Sequence, residues 1–129
     1  MLTKQKGDLA LGKAINFFLS NEYEVCLPVG DKRKYDLVIE KESSLSRVQV
    51  KYGGLYKGLE KCTVALRVMG GNQSYGYAKK YTAEDFDYLF VYTAKDESYF
   101  IPWDDNIIGK SVISVEAQKY NSFRVDVQG

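Results

Sequence analysis

Three polar residues between Lys34 and Lys51 have the types and spacing for chemistry on a phosphate ester. Asp36 opens one short apolar run, and Gln49 and Lys51 lie two residues apart in the next. Side chains alternate between the two faces of a β-strand, so Gln49 and Lys51 should project from one face while Val50 points to the core. An antiparallel hairpin centred on Ser43–Ser44 would bring Asp36 opposite residues near Lys51. We therefore expect a carboxylate, an amide oxygen and an ammonium group to converge at the end of a sheet.

These groups suit metal-assisted hydrolysis of a phosphodiester. Asp36 would anchor a divalent cation through a carboxylate oxygen; we expect Mg²⁺, with Mn²⁺ as a substitute. Gln49 would add a neutral carbonyl ligand, and the main-chain carbonyl of Val50 would add a third oxygen. Lys51 would orient or help deprotonate the attacking water and stabilise the charge that develops on a phosphoryl oxygen.

Composition narrows the chemistry further. The chain has no histidine, which excludes Ser-His-Asp triads, Cys-His pairs and histidine-ligated zinc. Cys26 and Cys62 lie in apolar runs, so we expect small, reduced core residues of a cytoplasmic protein. No apolar run approaches the roughly 20 residues that cross a bilayer, so no membrane association is expected.

The elements that must position these residues follow from periodicity. Residues 6–20 have the apolar spacing of an amphipathic helix. Runs rich in β-branched and aromatic residues predict strands, and the unpatterned segment Gly70–Tyr81 predicts an exposed loop. The predicted strands are 23–29, 35–40, 47–52, 62–69, 87–93, 98–102, 112–115 and 123–127, with a helical turn at 83–87 and a short helix near 116–120. This order indicates a single α+β (α/β-like) domain over residues 1–129, with a central mixed β-sheet and flanking helices.

The charge distribution favours an anionic partner. Residues 47–80 hold seven Lys/Arg and one Asp/Glu, a net charge of +6, whereas residues 81–129 hold four and nine, a net charge of −5. Such a polarised molecule has one face suited to double-stranded DNA. The residues expected to contact phosphates or base edges are Lys32, Arg33, Lys34, Lys57, Arg67, Asn72, Gln73, Tyr75, Tyr77, Lys79 and Lys80.

The central motif resembles that of the PD-(D/E)XK nuclease superfamily. Tyr35-Asp36 stands where the family has Pro-Asp, and Gln49-Val50-Lys51 stands where it has (D/E)-X-K. The resemblance implies the restriction-endonuclease fold. It also implies a metal ligand on the first helix, where the acidic residue is Asp8, although a helix cap explains Asp8 equally well. Glutamine in place of an acid removes one negative charge from the site.

A narrower resemblance comes from the order of several phrases. Lys6-Gly7-Asp8, Tyr35–Val38, Arg47–Lys51 and Phe86–Tyr92 together resemble the group I intron-encoded homing endonucleases of this fold. This implies a sequence-specific, double-strand DNA endonuclease that acts as a homo-oligomer, a dimer or a tetramer, on a long near-palindromic site. Candidates for the subunit interface are the aromatic residues Tyr92, Tyr99, Phe100 and Trp103.

Three alternatives remain open at this point. A structure-specific nuclease, such as a Holliday-junction resolvase or a repair nuclease, would use the same fold and cut by DNA shape. A non-catalytic DNA-binding module would explain why Gln49 replaces an acid. Asp36 and Lys51 would also be accounted for by a cross-strand ion pair at a sheet edge.

Overall fold

The structure is a computed structural model that describes residues 1–30, 32–56, 58, 60–71 and 76–127, without the side chains of 69–71 and 76–78. Within these residues one long α-helix precedes a series of short strands. The elements are α1 (Thr3–Ser20), β1 (Glu24–Cys26), β2 (Leu37–Lys41), β3 (Ser44–Gly53), β4 (Thr63–Ala65), β5 (Arg67–Gly71), β6 (Gly76–Lys80), β7 (Tyr88–Thr93), β8 (Ser98–Pro102), β9 (Val112–Ser114), a 3₁₀-helix (Gln118–Phe123) and β10 (Arg124–Val125).

The central sheet has six strands in the order β1-β2-β3-β7-β8-β10. Its neighbours are antiparallel except β3 and β7, which run parallel and pair Val48 with Tyr88 through Gly53 with Thr93. Separate two-stranded sheets join β4 to β9 and β5 to β6. The expectation of an α+β domain with a central mixed sheet is confirmed.

Two apolar cores cover the two faces of this sheet. On one face α1 buries Ala10, Ala14, Phe17 and Phe18 against side chains of β2, β3 and β7. The other core packs residues of β4, β7, β8 and β9 with the 3₁₀-helix residue Tyr120. At the middle of the sheet, β7 contributes side chains to both cores, whereas β3 packs Val48 and Val50 against α1 and carries Gln49 and Lys51 on its other face.

The β2–β3 hairpin differs from the predicted one by its turn. Lys41 pairs with Ser44, and the two intervening residues, Glu42 (φ 53°) and Ser43 (φ 66°), both adopt left-handed conformations, as in a type I′ turn. The turn is therefore centred on Glu42–Ser43 and not on Ser43–Ser44. Since Leu37 pairs with Val48, the next residue outward, Asp36, lies opposite Gln49.

Several other expectations were wrong in detail. The predicted loop 70–81 contains the end of β5 and all of β6, and Cys26 is exposed whereas Cys62 is buried. The helical turn predicted at 83–87 is not helical. The aromatic residues considered for a subunit interface pack instead within the chain's own cores: Tyr92, Tyr99 and Trp103 are buried and Phe100 packs against the α1 core. No helix in the described part of the chain is long and apolar enough to span a membrane.

Candidate active site

Asp36 is held by main-chain hydrogen bonds at the point where β2 begins beside β3. Its N–H donates to the carbonyl of Val48 (2.8 Å), and its Oδ2 accepts from the N–H of Val50 (2.8 Å). Among the described residues, no other hydrogen bond to the carboxylate is found. One carboxylate oxygen is thus fixed by the sheet while the other remains available to a ligand.

The electrostatic environment of Asp36 favours an added cation. Burial raises the pKa of the Asp36 carboxyl, and the hydrogen bond from Val50 and the positive charge of Lys51 only partly oppose this. Loss of hydration therefore outweighs the compensation that the chain itself provides for the charged form. A positive ion beside the free oxygen would supply the missing stabilisation of the charged carboxylate.

Gln49 and Val50 add uncharged oxygen atoms next to Asp36. Gln49 is only 9% exposed, and its Nε2 lies 3.4 Å from the carbonyl oxygen of Val50. A half-turn of the amide exchanges Nε2 and Oε1, which would present the oxygen in the same place. Because the N–H and C=O of one strand residue point to the same side, the Val50 carbonyl points toward Asp36 and the open edge of β3.

Lys51 completes the group but does not form the cross-strand ion pair considered above. None of the ion pairs within 4.0 Å among the described residues joins Lys51 to Asp36. Its Nζ lies 5.2 Å from the centre of the Tyr81 ring. That ring is buried, with edge-on contacts to Phe86 and Trp103 at centroid distances of 5.1 and 6.3 Å. Tyr81 therefore helps to place the Lys51 ammonium through a cation–π contact.

Sequence reasoning missed Tyr81, and no local signal would have found it. The residue follows β6, at the end of the segment that was expected to be a loop. Next to it in the chain, the carbonyl of Thr82 accepts a hydrogen bond from the indole N–H of Trp103 (2.9 Å). This contact is between residues distant in the chain, so pattern and propensity carry no information about it.

Asp8 lies apart from the contacts described so far. The helix begins at Thr3 with Leu2 as its N-cap, so Asp8 is in the second turn and the helix-cap explanation is wrong. Its side chain is exposed. No cluster of three or more His, Cys, Asp or Glu side chains suited to a metal ion occurs in the described part of the chain. The one acidic side chain of the Asp36 group must then be supplemented by amide and carbonyl oxygens.

This donor set fits a divalent cation of the kind that typically serves PD-(D/E)XK nucleases. Asp36, the amide of Gln49 and the carbonyl of Val50 offer only oxygen ligands once the amide has turned, as hard cations prefer. The raised pKa of Asp36 is the sign of a buried negative charge with too little positive charge beside it. The oxygen atoms of Asp36, Gln49 and Val50 therefore fit a divalent cation.

The residues expected to contact DNA fall into three sets. Lys32, Arg33 and Lys34 are exposed before β2, and Lys34 forms an ion pair with Asp85 at 3.5 Å. Arg67, Lys79 and Lys80 are exposed on the β5–β6 hairpin, where Arg67 pairs with Lys80. Lys57, Asn72, Gln73 and Tyr75 lie outside the described residues, as does the side chain of Tyr77 in β6.

A second charged group lies at the other end of β3. The Arg47 N–H donates to Asp87 Oδ2 (2.8 Å), and the Asp87 N–H donates to the Arg47 carbonyl (2.9 Å). The guanidinium adds an ion pair with Asp87 (3.3 Å) and a hydrogen bond to the carbonyl of Glu84 (2.6 Å). Burial raises the pKa of Asp87, but these Arg47 contacts outweigh it and hold that pKa below its usual value.

Comparisons with known proteins identify the family of the chain. The sequence profile of the PD-(D/E)XK endonuclease family matches residues 1–128. The solved structure of the bacterial homing endonuclease I-Ssp6803I aligns with a TM-score of 0.77 at 30% sequence identity, covering 96% of this chain and 89% of that one. A search of curated protein sequences found no match. The profile match over nearly the whole length shows that the chain belongs to the PD-(D/E)XK endonuclease family.

Proposed function

We propose that this endonuclease cuts double-stranded DNA in a sequence-specific manner, in the service of group I intron homing, and that it requires Mg²⁺ or Mn²⁺. The observation that carries the proposal is the convergence of Asp36, Gln49, Val50 and Lys51 at the open end of β3. Support for homing comes from the likeness to I-Ssp6803I, which is itself described as a homing endonuclease.

In this proposal Asp36, Gln49 and the Val50 carbonyl hold the cation, and Asp8 is the candidate for a further acidic ligand. The cation supplies Lewis-acid neutralisation of the negative charge that grows on the phosphoryl oxygens. Asp36 is well suited to hold it because its Oδ2 is already fixed by the Val50 N–H. The second oxygen can then bind without loss of side-chain freedom.

Lys51 would orient the attacking water and stabilise a non-bridging oxygen of the scissile phosphate. Because Lys51 forms no ion pair within 4.0 Å among the described residues, its ammonium group can give its hydrogen bonds to these oxygens. The buried Tyr81 ring, 5.2 Å from Nζ, restricts the range of positions that Lys51 samples. Preorganisation of this kind lowers the cost of reaching the transition state.

The DNA would contact the β5–β6 hairpin and the basic stretch before β2. Arg67, Lys79 and Lys80 are exposed there, and Lys57, Asn72, Gln73, Tyr75 and Tyr77 are the further residues proposed for this contact. A near-palindromic site would require symmetric copies of the subunit, so we propose a homodimer or homotetramer that acts in the cytoplasm.

One observation favours a different candidate function. Asp36 is the single acid in the described group, with Gln49 buried where the family pattern has an acid. A non-catalytic DNA-binding module would tolerate such a loss of metal-binding charge. It would bind DNA equally well with a divalent cation or a chelator and leave the DNA intact.

Cleavage of a plasmid library tests the proposal. The library carries randomised and intron-insertion-site sequences, and the wild type is compared with Lys51→Ala and with Lys4→Ala, an exposed lysine outside the group. We expect discrete cuts at one sequence with Mg²⁺ or Mn²⁺, retained by Lys4→Ala and absent with chelator or Lys51→Ala. Preferential cutting of four-way junctions irrespective of sequence would support a structure-specific nuclease. Intact DNA with preserved binding would leave the non-catalytic module.

A further inference from the structure

A cavity of about 530 Å³ lies beside the candidate active site. Its walls include Thr3 and Lys6 from the first turns of α1, Lys51 and Tyr52 from β3, and Tyr56 from the segment after β3. A water molecule occupies about 30 Å³ of liquid volume, so the cavity has room for a group much larger than a few waters. Val50 and Lys51 belong to both places, so the cavity adjoins the Asp36 group at the edge of β3.

The position of the cavity follows from a gap in the pairing of β3. On the open side, Val50 donates to Asp36 (2.8 Å), and Gly54 next pairs with Thr63 through bonds of 3.1 and 2.9 Å. The main-chain groups of Tyr52, which lies between them, point to the same side because alternate strand residues share an orientation. A strand edge with main-chain groups directed into a cavity can receive a hydrogen-bonding ligand.

The charges that border the cavity are all positive. Lys6 and Lys51 are the charged residues among those described in its lining. No ion pair within 4.0 Å neutralises either lysine in the described part of the chain. The Lys6 Nζ lies 5.6 Å from the centre of the Tyr52 ring, which places the ammonium beside the gap. The Lys6 ammonium at the cavity, with the positive charge of Lys51 on the other face of β3, makes the cavity attractive to an anion.

The start of α1 adds to the positive potential. No acidic residue lies in its first turn, and Leu2 as N-cap gives no side-chain hydrogen bond to the helix. The first N–H groups of a helix lack partners within it and carry the positive end of the helix dipole. Lys6 and the hydroxyl-bearing Thr3 and Tyr56, which also line the cavity, add further hydrogen-bond donors to its walls.

We propose that this cavity binds a backbone phosphate of the DNA next to the scissile phosphate, with Lys6 as its cationic ligand. The inference rests on the proposed function, because it requires DNA as the substrate. The cavity lies at the edge of β3, and the Lys51 ammonium lies on the Tyr81 side of that strand with the Asp36 group, so a bound neighbouring phosphate would fix the DNA strand in register with the catalytic groups. Lys6 is then a binding residue, and its contribution is to affinity and to its dependence on salt.

The salt dependence of DNA binding tests the proposal. A fluorescent duplex is titrated in chelator, which prevents cleavage, at several KCl concentrations for the wild type and three variants. Lys6→Met removes the charge and keeps the aliphatic stem. Lys4→Met is the matched control on an exposed position of the same helix end. Lys13→Met is the control for loss of a cation–π contact, since Lys13 Nζ lies 5.3 Å from the Tyr92 ring centre away from the cavity.

We expect Lys6→Met to lower the slope of log affinity against log salt by about 0.9, the value for one lost phosphate contact, and both controls to keep the wild-type slope. The wild type would then lose about 3.5-fold more affinity than Lys6→Met between 50 and 200 mM salt. Equal slopes for Lys6→Met and Lys4→Met would overturn the inference. Inorganic phosphate shifting the NMR signals of Lys6 and Tyr56, with an unchanged DNA slope in Lys6→Met, would assign the cavity to free phosphate and also overturn it.

Failure of this inference is separable from failure of the proposed function. Metal-dependent cleavage by the wild type with an unchanged slope in Lys6→Met refutes the phosphate subsite alone. A lowered slope in Lys6→Met, without cleavage by the wild type under any condition, retains the subsite and refutes the catalytic function.

Discussion

The two ends of β3 carry similar pairs of charges that behave in opposite ways. At its start, Arg47 and Asp87 form an ion pair and reciprocal main-chain hydrogen bonds, and the pKa of Asp87 is lowered. Toward its end, Asp36 and Lys51 form no contact ion pair, and burial raises the pKa of Asp36. The charge of Asp87 is compensated by Arg47, whereas the half-buried Asp36 carboxylate lacks enough compensation for its charge.

This difference separates a structural pair from a functional one. Arg47 and Asp87 join β3 to the residues before β7, and their opposite charges neutralise each other. Asp36 and Lys51 are supported by the sheet and by Tyr81, yet their charges are free for a cation and a phosphate. Perturbed acids whose charge is left uncompensated are typical of functional sites.

Asp36→Asn should produce the largest effect. Asparagine can still accept the Val50 hydrogen bond but cannot neutralise a cation, so we expect cleavage to fall by about a thousandfold or more. The same change removes a buried charge, so the thermal unfolding midpoint without metal should stay the same or rise. Single-turnover cleavage and differential scanning calorimetry measure the two outcomes. A marked loss of stability would make Asp36 a structural residue like Asp87.

Tyr81→Leu should have the next largest effect. The change keeps an apolar residue in the core but removes the ring beside Lys51, so we expect a cleavage rate at saturating DNA lower by about threefold to thirtyfold. The dissociation constant for DNA should remain as in the wild type. Tyr81→Phe, which keeps the ring, should restore the rate. If both variants lose the rate equally, the phenolic hydroxyl and not the ring is responsible.

Asp87→Ala should affect stability more than chemistry. The ion-paired side chains are 37% and 44% exposed, so solvent screens their attraction, and we expect a loss of about 1 kcal/mol in the free energy of unfolding. Urea denaturation measures this loss. The cleavage rate per folded molecule should stay close to that of the wild type; a large fall would contradict the structural role.

The pH dependence of stability should distinguish the two acids in sign. The pKa of Asp36 is raised by folding, so ionisation costs stability as pH rises from about 4, the unfolded-state value, through the folded pKa. The advantage of Asp36→Asn over the wild type without metal should therefore appear as pH rises and then level off. Asp87 has a lowered pKa, so its contribution is present above about pH 4 and is lost as pH falls through the folded value. Chemical denaturation across this range measures both, and parallel curves for the two acids would contradict the assignment.

Local sequence information was sufficient to place the candidate site residues on their strands but not to predict their surroundings. The spacing of Gln49 and Lys51 on a strand and the position of Asp36 at the start of another were readable from alternation alone. The register of the β2–β3 hairpin could not be predicted in this way, because Glu42 and Ser43 adopt left-handed conformations without the Asn-Gly signal that marks such a turn.

The features that the sequence did not predict depend on contacts between distant parts of the chain. The parallel pairing of β3 with β7 and the placement of Tyr81 below Lys51 depend on tertiary packing. The β5–β6 hairpin was missed because its glycine-rich sequence lacks the alternation of a half-buried strand. The cavity beside Lys6 arises from the gap between two strand partners of β3, which becomes visible once the register is known.

The most direct test is single-turnover cleavage by Lys51→Ala and Arg47→Ala, each corrected for its folded fraction, on DNA that the wild type cuts. The two variants remove a cation from opposite ends of the same strand. The account predicts a loss of about a hundredfold or more for Lys51→Ala and a near-wild-type rate for the folded fraction of Arg47→Ala. Equal losses in the two variants, or full activity in Lys51→Ala, would contradict the assignment of the chemistry to the Asp36 end of β3.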